Sequence, residues 1–514
     1  MITNLCRTTI LVSGIVVGTF GSSVLGVDWP IGQKVRGVCY QPIPENAVGQ
    51  PNTPWFESSD VCTEQFSALY GDGNVAGVRV TIGNARHDVD EMQQASFNVI
   101  RMYDWNGQAT GAAKSNCDWN QQGPIPPEGG NGHLRFLDYC HAHGIKVIVP
   151  ISNYVVKAFP EDTYGNTWQN LTDGIINSCK LSDTTLHPAV HSFSVGNETD
   201  IPASSDSPSN NNQGLDRACQ IVNRVLDNPA VVQAGVMATI PISNRRNGQY
   251  PNQDESPFDL MEMMRDGGTH TVSGVTSTIA NANRIVRYEK FYNSLQAFQQ
   301  NDEYVEQILD PYDDRFASST HQPKLIFTEW GYPKFVSGVC TEWQKRPLPQ
   351  TDQDQADLLV AAMRDTWDYF TDNPDTLFRG ICVFQWQDSR SASAEGCNTT
   401  FGLHKYADGS KGRAEFDCYF CGGACWTPGS YDIDPLREIR TTEGTLITEA
   451  IEEIWDPQML GDIDENGIVD EKDLLLLMSE LGYEQHDTDF DRDIDGVDLG
   501  RLLESWGPYG EDKP

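Results

Sequence analysis

Positive charge is scarce in this chain. Against 73 Asp and Glu stand only 36 Lys and Arg, a formal net charge of −37 over 514 residues. Nucleic acid and anionic membrane surfaces would repel such a chain, so both are excluded as partners. Long apolar runs are also lacking: beyond the first 26 residues, none is long enough to cross a bilayer. No glycine-rich loop opens a helix after a strand, which counts against a dinucleotide-binding fold. What remains is an ordinary globular composition. With 39% hydrophobic and 10% aromatic residues, 28 Pro and 45 Gly, the chain can bury a sizeable core and must carry many loops.

Residues 1–26 stand apart. Arg7, an apolar stretch from Ile10 to Phe20 and the small residues up to Gly26 read as a secretory signal peptide, with an uncleaved anchor as the alternative. Secretion, or display at the cell surface through the C-terminal module, is the expected location. Of 13 cysteines, Cys6 falls in this leader, leaving an even twelve, and in an exported chain that favours disulfides. Cys418, Cys421 and Cys425 are spaced like part of a metal knuckle, but no fourth ligand stands at a familiar spacing.

Short apolar runs recur at Lys34–Tyr40, Phe97–Tyr103, Ile145–Ile151, Ser192–Val195, Val236–Ile240, Leu325–Thr328 and Gly380–Phe384. Runs apolar on both faces are typical of buried parallel strands, and helical patterns such as Leu134–His143 and Gln355–Phe370 alternate with them. With a weaker candidate at Val272–Thr278 the count reaches eight, which predicts an α/β fold, a (β/α)8 TIM barrel over residues 29–456. Its surplus length falls in loops at Gln41–Thr81, Trp105–Gly132, Asp200–Gln213, Asn244–Asp266 and Ser389–Ile433, and a helix over Leu436–Ile454 is expected to close it.

Residues 461–514 hold 17 acids and 4 bases, a net −13. Asp462, Asp464, Asn466, Asp470 and Asp473 stand at positions 1, 3, 5, 9 and 12 of a loop, with Gly467 at the sharp turn and the Ile468 carbonyl at position 7. Hard Ca²⁺ takes six to eight oxygens in this order. Asp487, Asp489, Asp491, Asp495 and Asp498 repeat the pattern 25 residues later, with the Asp493 carbonyl at position 7 and Arg492 where Gly stood. The expectation is a small all-α module with one firm structural Ca²⁺ site and a second, weaker one. The duplicated loop and helix resemble a type I dockerin, and the resemblance implies a cohesin-like partner. Glu471-Lys472 and Gly496-Val497 depart from the Ser/Thr pair with which that family often meets its cohesin, so a calcium-stabilised cap without a partner stays open.

Two acids end predicted strands, Glu198 in VGNE and Glu329 in FTEWG. A carboxylate at the end of a buried strand gives up hydration, and glycoside hydrolysis supplies a reason, since it needs two carboxyls flanking the scissile bond. With these motifs the chain resembles the clan of (β/α)8 retaining glycoside hydrolases that carry Asn-Glu after strand four and Glu at the end of strand seven. VGNE, TEWGYP and GVCYQP are nearest to the β-1,3-glucanases and β-1,3-glucanosyltransferases.

The resemblance implies Glu198 as acid/base, Glu329 as nucleophile, Arg101 as the arginine ending strand two and Trp386 as the aromatic of strand eight. Asn197 would bind the sugar 2-hydroxyl. Trp105, Trp330 and Trp386 are candidate sugar platforms, Tyr292 a candidate partner of the nucleophile, and Trp367 and Trp455 are expected in the core. The substrate is then a polysaccharide, best a β-1,3-glucan, and catalysis needs no cofactor. A transglycosylase, an endo-β-1,4-glucanase or mannanase, and a non-catalytic polysaccharide-binding scaffold are the rivals.

Overall fold

The computed structural model describes residues 34–40, 72–75, 78–81, 88–103, 105, 132–161, 165–200, 213–243, 257–272, 275–298, 304–319, 321–334, 348–388, 400–406, 436–455, 468–469 and 507–508. One parallel sheet organises them. Its strands are β1 (Val35–Cys39), β2 (Val99–Arg101), β3 (Lys146–Ile151), β4 (Val190–Val195), β5 in two pieces (Met237–Thr239 and Pro241–Ser243), β6 (Asn293–Ala297), β7 (Leu325–Trp330) and β8 (Phe378–Val383). Each pairs in parallel with the next, and β8 returns to β1. Met237–Thr239 pairs with β4 and Pro241–Ser243 with β6, so the sheet closes through β5. The break falls where Pro241 has no N–H to give the ladder.

Helical segments follow the strands around the outside, from Asp88–Gln94 after β1 to Ile447–Trp455 after β8. The sequence explains their faces and ends. Gly214–Asp227 buries Leu215, Ala218, Cys219, Ile221, Val222, Val225 and Leu226 along one stripe. Asp352–Asp372 starts at a capping box in which Thr351 and Asp354 satisfy each other's backbone N–H groups. Most of the core lies between helices and sheet, where each fully buried Leu, Ile, Val or Phe side chain contributes roughly 1.5–3 kcal/mol. Trp367 and Trp455 belong to it, as expected, with ring centroids 5.8 Å apart.

Inside the barrel a second, smaller core holds Val35, Cys39, Val99, Ile148, Tyr292, Ile326 and Cys382. Every second residue of a strand faces inward. Gly37 takes its inward turn without a side chain because a Cβ would stand 2.5 Å from the Cys382 sulfur.

Three expectations need correction. The segment around Val272–Thr278 is an antiparallel hairpin, Gly268–Val272 with Val275–Ile279, and the sixth barrel strand is Asn293–Ala297. Polar Asn293, Ser294 and Gln296 hid that strand from an apolar pattern, yet they are buried and hydrogen-bonded. The closing segment is a short strand, Leu436–Glu438, and then a helix, Ile447–Trp455. Finally, Cys39, Cys140, Cys219 and Cys382 are free thiols rather than disulfide partners, and they are buried, as is Cys179. The other seven cysteines of the twelve, the expected leader and most of the segments expected to be loops lie outside the described residues, as do all the expected calcium ligands except Ile468, which pairs with Pro508 in a two-residue ladder.

Candidate active site

Glu329 lies in β7 at its C-terminal end and is 5% exposed. Strict alternation would not aim it inward: Ile326 faces the barrel interior and Phe327 the helices, which puts residue 328 inside and 329 outside. The ladders break this phase. Leu295 pairs with Phe327 but the next residue, Gln296, pairs with Glu329, and the register towards β8 shifts in the same stretch. The residue skipped is Thr328. A bulge re-aims the side chains beyond it, and here it turns Glu329 into the barrel. The Thr328 carbonyl, which the shifted ladder leaves over, accepts from Arg101 Nη1 at 3.0 Å and from the Cys39 thiol at 3.3 Å.

Arg101 ends β2 on the inward face, as Val99 does, and is 2% exposed. Its Nη1 meets Glu329 Oε1 at 2.6 Å, and its Nη2 donates to Asn197 Oδ1 at 2.5 Å. Tyr103, two residues further on the same face, donates to the same Oε1 at 2.8 Å and lies 2.8 Å from Arg101 Nη1. Both donors converge on one carboxylate oxygen. Glu329 Oε2 has no hydrogen-bond partner among the described residues.

The electrostatics suit this arrangement. Burial works against the Arg101 charge, but Tyr103, Glu329 and Cys39 around it more than offset that, and its pKa rises well above the usual value. Burial also holds the Tyr103 phenol well above its usual range, so it stays a proton donor. Burial pushes the Cys39 thiol up to about 12, so it is neutral and donates rather than attacks. Removing Arg101 would leave a buried carboxylate uncompensated, a loss of about 3–5 kcal/mol.

The second carboxylate stands across the barrel. After β4 the chain turns at Gly196, where φ is +71° and a Cβ would collide with the Thr199 methyl. Only glycine fits there. Asn197 follows, its Oδ1 accepting from both Arg101 Nη2 and Gln296 Nε2. Two donors on the oxygen fix the amide's orientation, and Nδ2 has no hydrogen bond among the described residues. Glu198 is partly exposed and takes φ +49°, a left-handed conformation that costs a non-glycine residue about 1–2 kcal/mol.

Arg101, Asn197 and Glu329 thus form one connected group, and Glu198 is the next residue of the turn. The other expected residues do not join it. Tyr292 enters from the start of β6, is fully buried and bonds Ser192 Oγ at 2.8 Å rather than Glu329. Trp105 is 3% exposed, stacked on His133 with ring centroids 4.1 Å apart and tied to Ser178 Oγ at 2.9 Å. Trp330 faces Tyr304 and Tyr332 on the outside of the sheet, and Trp386 lies between Phe97 and His404. Both are fully buried, so none of the three tryptophans offers a face to a sugar.

Two aromatics that sequence reasoning missed lie nearer to this group. Phe384, directly after β8, and Phe298, directly after β6, are partly exposed with ring centroids 5.7 Å apart, and Phe384 lies 6.1 Å from the ring of Tyr103. The period of two from Arg101 was a signal for Tyr103, and from Cys382 for Phe384. Gln296 had no such signal while its strand went unrecognised.

No protein family matches the chain, and no curated protein does. The solved structures to which it is similar include three glycosidases. The β-glucuronidase of Bacteroides uniformis is 13% identical, with 73% of this chain and 33% of that one covered and a TM-score of 0.39. The family 1 β-glucosidase of Thermotoga maritima in complex with isofagomine lactam is 12% identical, with 75% and 95% covered and a TM-score of 0.43. The glucosidase of Croceicoccus marinus is 10% identical, with 84% and 68% covered and a TM-score of 0.42. The chain spans about a third of the length of the β-glucuronidases it matches. Likeness of this degree does not bear on substrate or activity.

Proposed function

We propose that the protein is a retaining glycoside hydrolase that cleaves a β-glucan, β-1,3-linked in the first instance. The observation that carries this reading is the asymmetry of Glu329. One carboxylate oxygen is gripped by Arg101 and Tyr103 and the other is left for a ligand, at the C-terminal mouth of a parallel barrel where such sites are built. In the first step Oε2 attacks the anomeric carbon as Glu198 gives its proton to the leaving oxygen, and the glycosidic C–O bond breaks. Glu198, now a carboxylate, then takes a proton from water, whose oxygen attacks the same carbon and releases Glu329. Asn197 Nδ2 donates to the sugar 2-hydroxyl, a contact that strengthens in the transition state. Phe298 and Phe384 supply apolar walls for the C–H faces of the sugar.

The proposal extends to an exported chain, on the strength of residues 1–26. It also extends to structural Ca²⁺ in the loops of residues 461–514, with docking to a cohesin-like domain as that module's role. Incubation of the full chain with laminarin, carboxymethyl cellulose and mannan, with products resolved by chain length and anomeric form, tests the reading. The expected result is shortening of laminarin with retention of the β-anomer. Products longer than the substrate would assign transfer rather than hydrolysis, and no change in any of the three glycans would remove the glycosidase reading.

A further inference from the structure

We infer that Asn153 and Asp200 are positioning residues that hold Glu198 in its left-handed conformation and so aim the acid/base, an inference that rests on the glycosidase reading. A residue with φ +49° and a full side chain relaxes to ordinary backbone unless its neighbours prevent it. Here they do so from both sides. Asn153, which opens the short helix after β3, receives the Asn197 N–H on its Oδ1 at 2.9 Å and returns Nδ2 to the Asn197 carbonyl at 2.9 Å.

That carbonyl belongs to the peptide joining residues 197 and 198. Rotation about φ of Glu198 turns its side chain relative to that peptide plane, so a hydrogen bond on the carbonyl fixes the reference for the rotation. The Gly196 N–H, donated to the Ile151 carbonyl at 2.7 Å, anchors the same turn to β3.

On the far side Asp200 is 8% exposed. Its two oxygens accept the Ser243 N–H at 3.0 Å and the Ser243 hydroxyl at 2.6 Å, which ties the end of the turn to the end of β5. Glu198 is therefore strung between β3 and β5 with both exits held. Neither Asn153 nor Asp200 bonds Glu329 or Arg101; Asn153 reaches them only through the Asn197 peptide, and the Asn197 side chain is held separately by Arg101 and Gln296.

Leaving-group chemistry separates this role from a merely structural one. Phenyl β-laminaribioside needs a proton from Glu198 so that its leaving group departs as phenol, whereas 2,4-dinitrophenolate leaves as the anion without one. For Asn153→Ala, kcat/KM on the phenyl glycoside is expected to fall by about 10²-fold, while that on the dinitrophenyl glycoside stays within about threefold of wild type. Azide, which attacks the glycosyl-enzyme as an anion and displaces the Glu329 carboxylate, should raise turnover of the dinitrophenyl substrate and yield the β-glycosyl azide. Asn153→Asp keeps shape and the acceptor for Asn197 N–H but loses the donor to the carbonyl, so it reads the same split if the alanine variant fails to fold. Ser243→Ala should show a weaker version of it. Equal losses on both glycosides, or no loss on either, would overturn the inference. A wild-type chain inert towards both glycosides would instead overturn the glycosidase reading beneath it.

Discussion

The inside of the barrel holds polar groups at two levels, and they are handled in opposite ways. At the C-terminal mouth Arg101 and Glu329 meet at 2.6 Å, with Tyr103, Asn197 and Gln296 arranged around them. Deeper, the network is neutral: His191 Nδ1 lies 2.9 Å from Ser192 Oγ, which bonds Tyr292, and Thr239 bonds Ser294 at 2.8 Å. Hydroxyls paired with one another satisfy burial cheaply, whereas burying a charge requires a partner and a reason. The contrast teaches where to look for chemistry in a barrel that has polar residues throughout. Among the described residues, groups at the mouth leave a carboxylate oxygen and an amide N–H2 open, while those below bond one another.

Substitutions at the mouth should therefore affect turnover, and those below it stability alone. Glu329→Gln is expected to cost the largest factor, at least about 10⁴ in kcat on laminarin, and also to lower the melting temperature because the buried Arg101 charge loses its counter-charge; unaltered turnover would end the nucleophile assignment. Glu198→Gln should lower kcat on the same glycan by about 10²–10⁴-fold, with azide restoring turnover of an activated aryl glycoside. Tyr103→Phe removes one of two donors to Glu329 Oε1 and should cost about tenfold in kcat/KM, corresponding to about 1.4 kcal/mol.

Below the mouth the expected effects are smaller and of another kind. Tyr292→Phe strips a hydroxyl from the Ser192 pair and should destabilise the fold by about 1 kcal/mol in denaturant titration, with kcat unchanged. A large loss of kcat with unchanged stability would return Tyr292 to the site. Burial, helped by the Lys146 charge, pushes His191 from 6.5 down to about 3, so the folded form keeps it neutral. Between those pH values the unfolded chain binds a proton there that the folded chain refuses. This contribution to stability is therefore complete above pH 6.5 and is lost as pH falls towards 3. His191→Gln should flatten that part of a melting-temperature profile.

Much of the architecture was legible because buried parallel strands leave a plain record. Seven of the eight barrel strands read directly as apolar runs, and the two carboxylates and Arg101 stood at their ends. The sixth strand did not, because Ser294 and Gln296 face an interior that is itself polar at that point. The tryptophans misled for a related reason. Following a strand places a residue near the mouth but does not choose its face, and Trp330 and Trp386 pack outward into the core while Phe298 and Phe384 stay partly exposed.

By itself the sequence determined the alternation of strands and helices, the acids that end β4 and β7, and the calcium-type spacing of residues 462–498, since hydrophobic period and ligand spacing are local properties. Direction was decided only by the tertiary structure. Glu329 points into the barrel because the ladders on both sides of β7 skip Thr328, and Glu198 takes its left-handed turn while Asn153 and Asp200 grip the chain around it. Those constraints come from β6 and β8 for Glu329 and from the ends of β3 and β5 for Glu198, tens of residues away in the sequence, and no local pattern of residues encodes them.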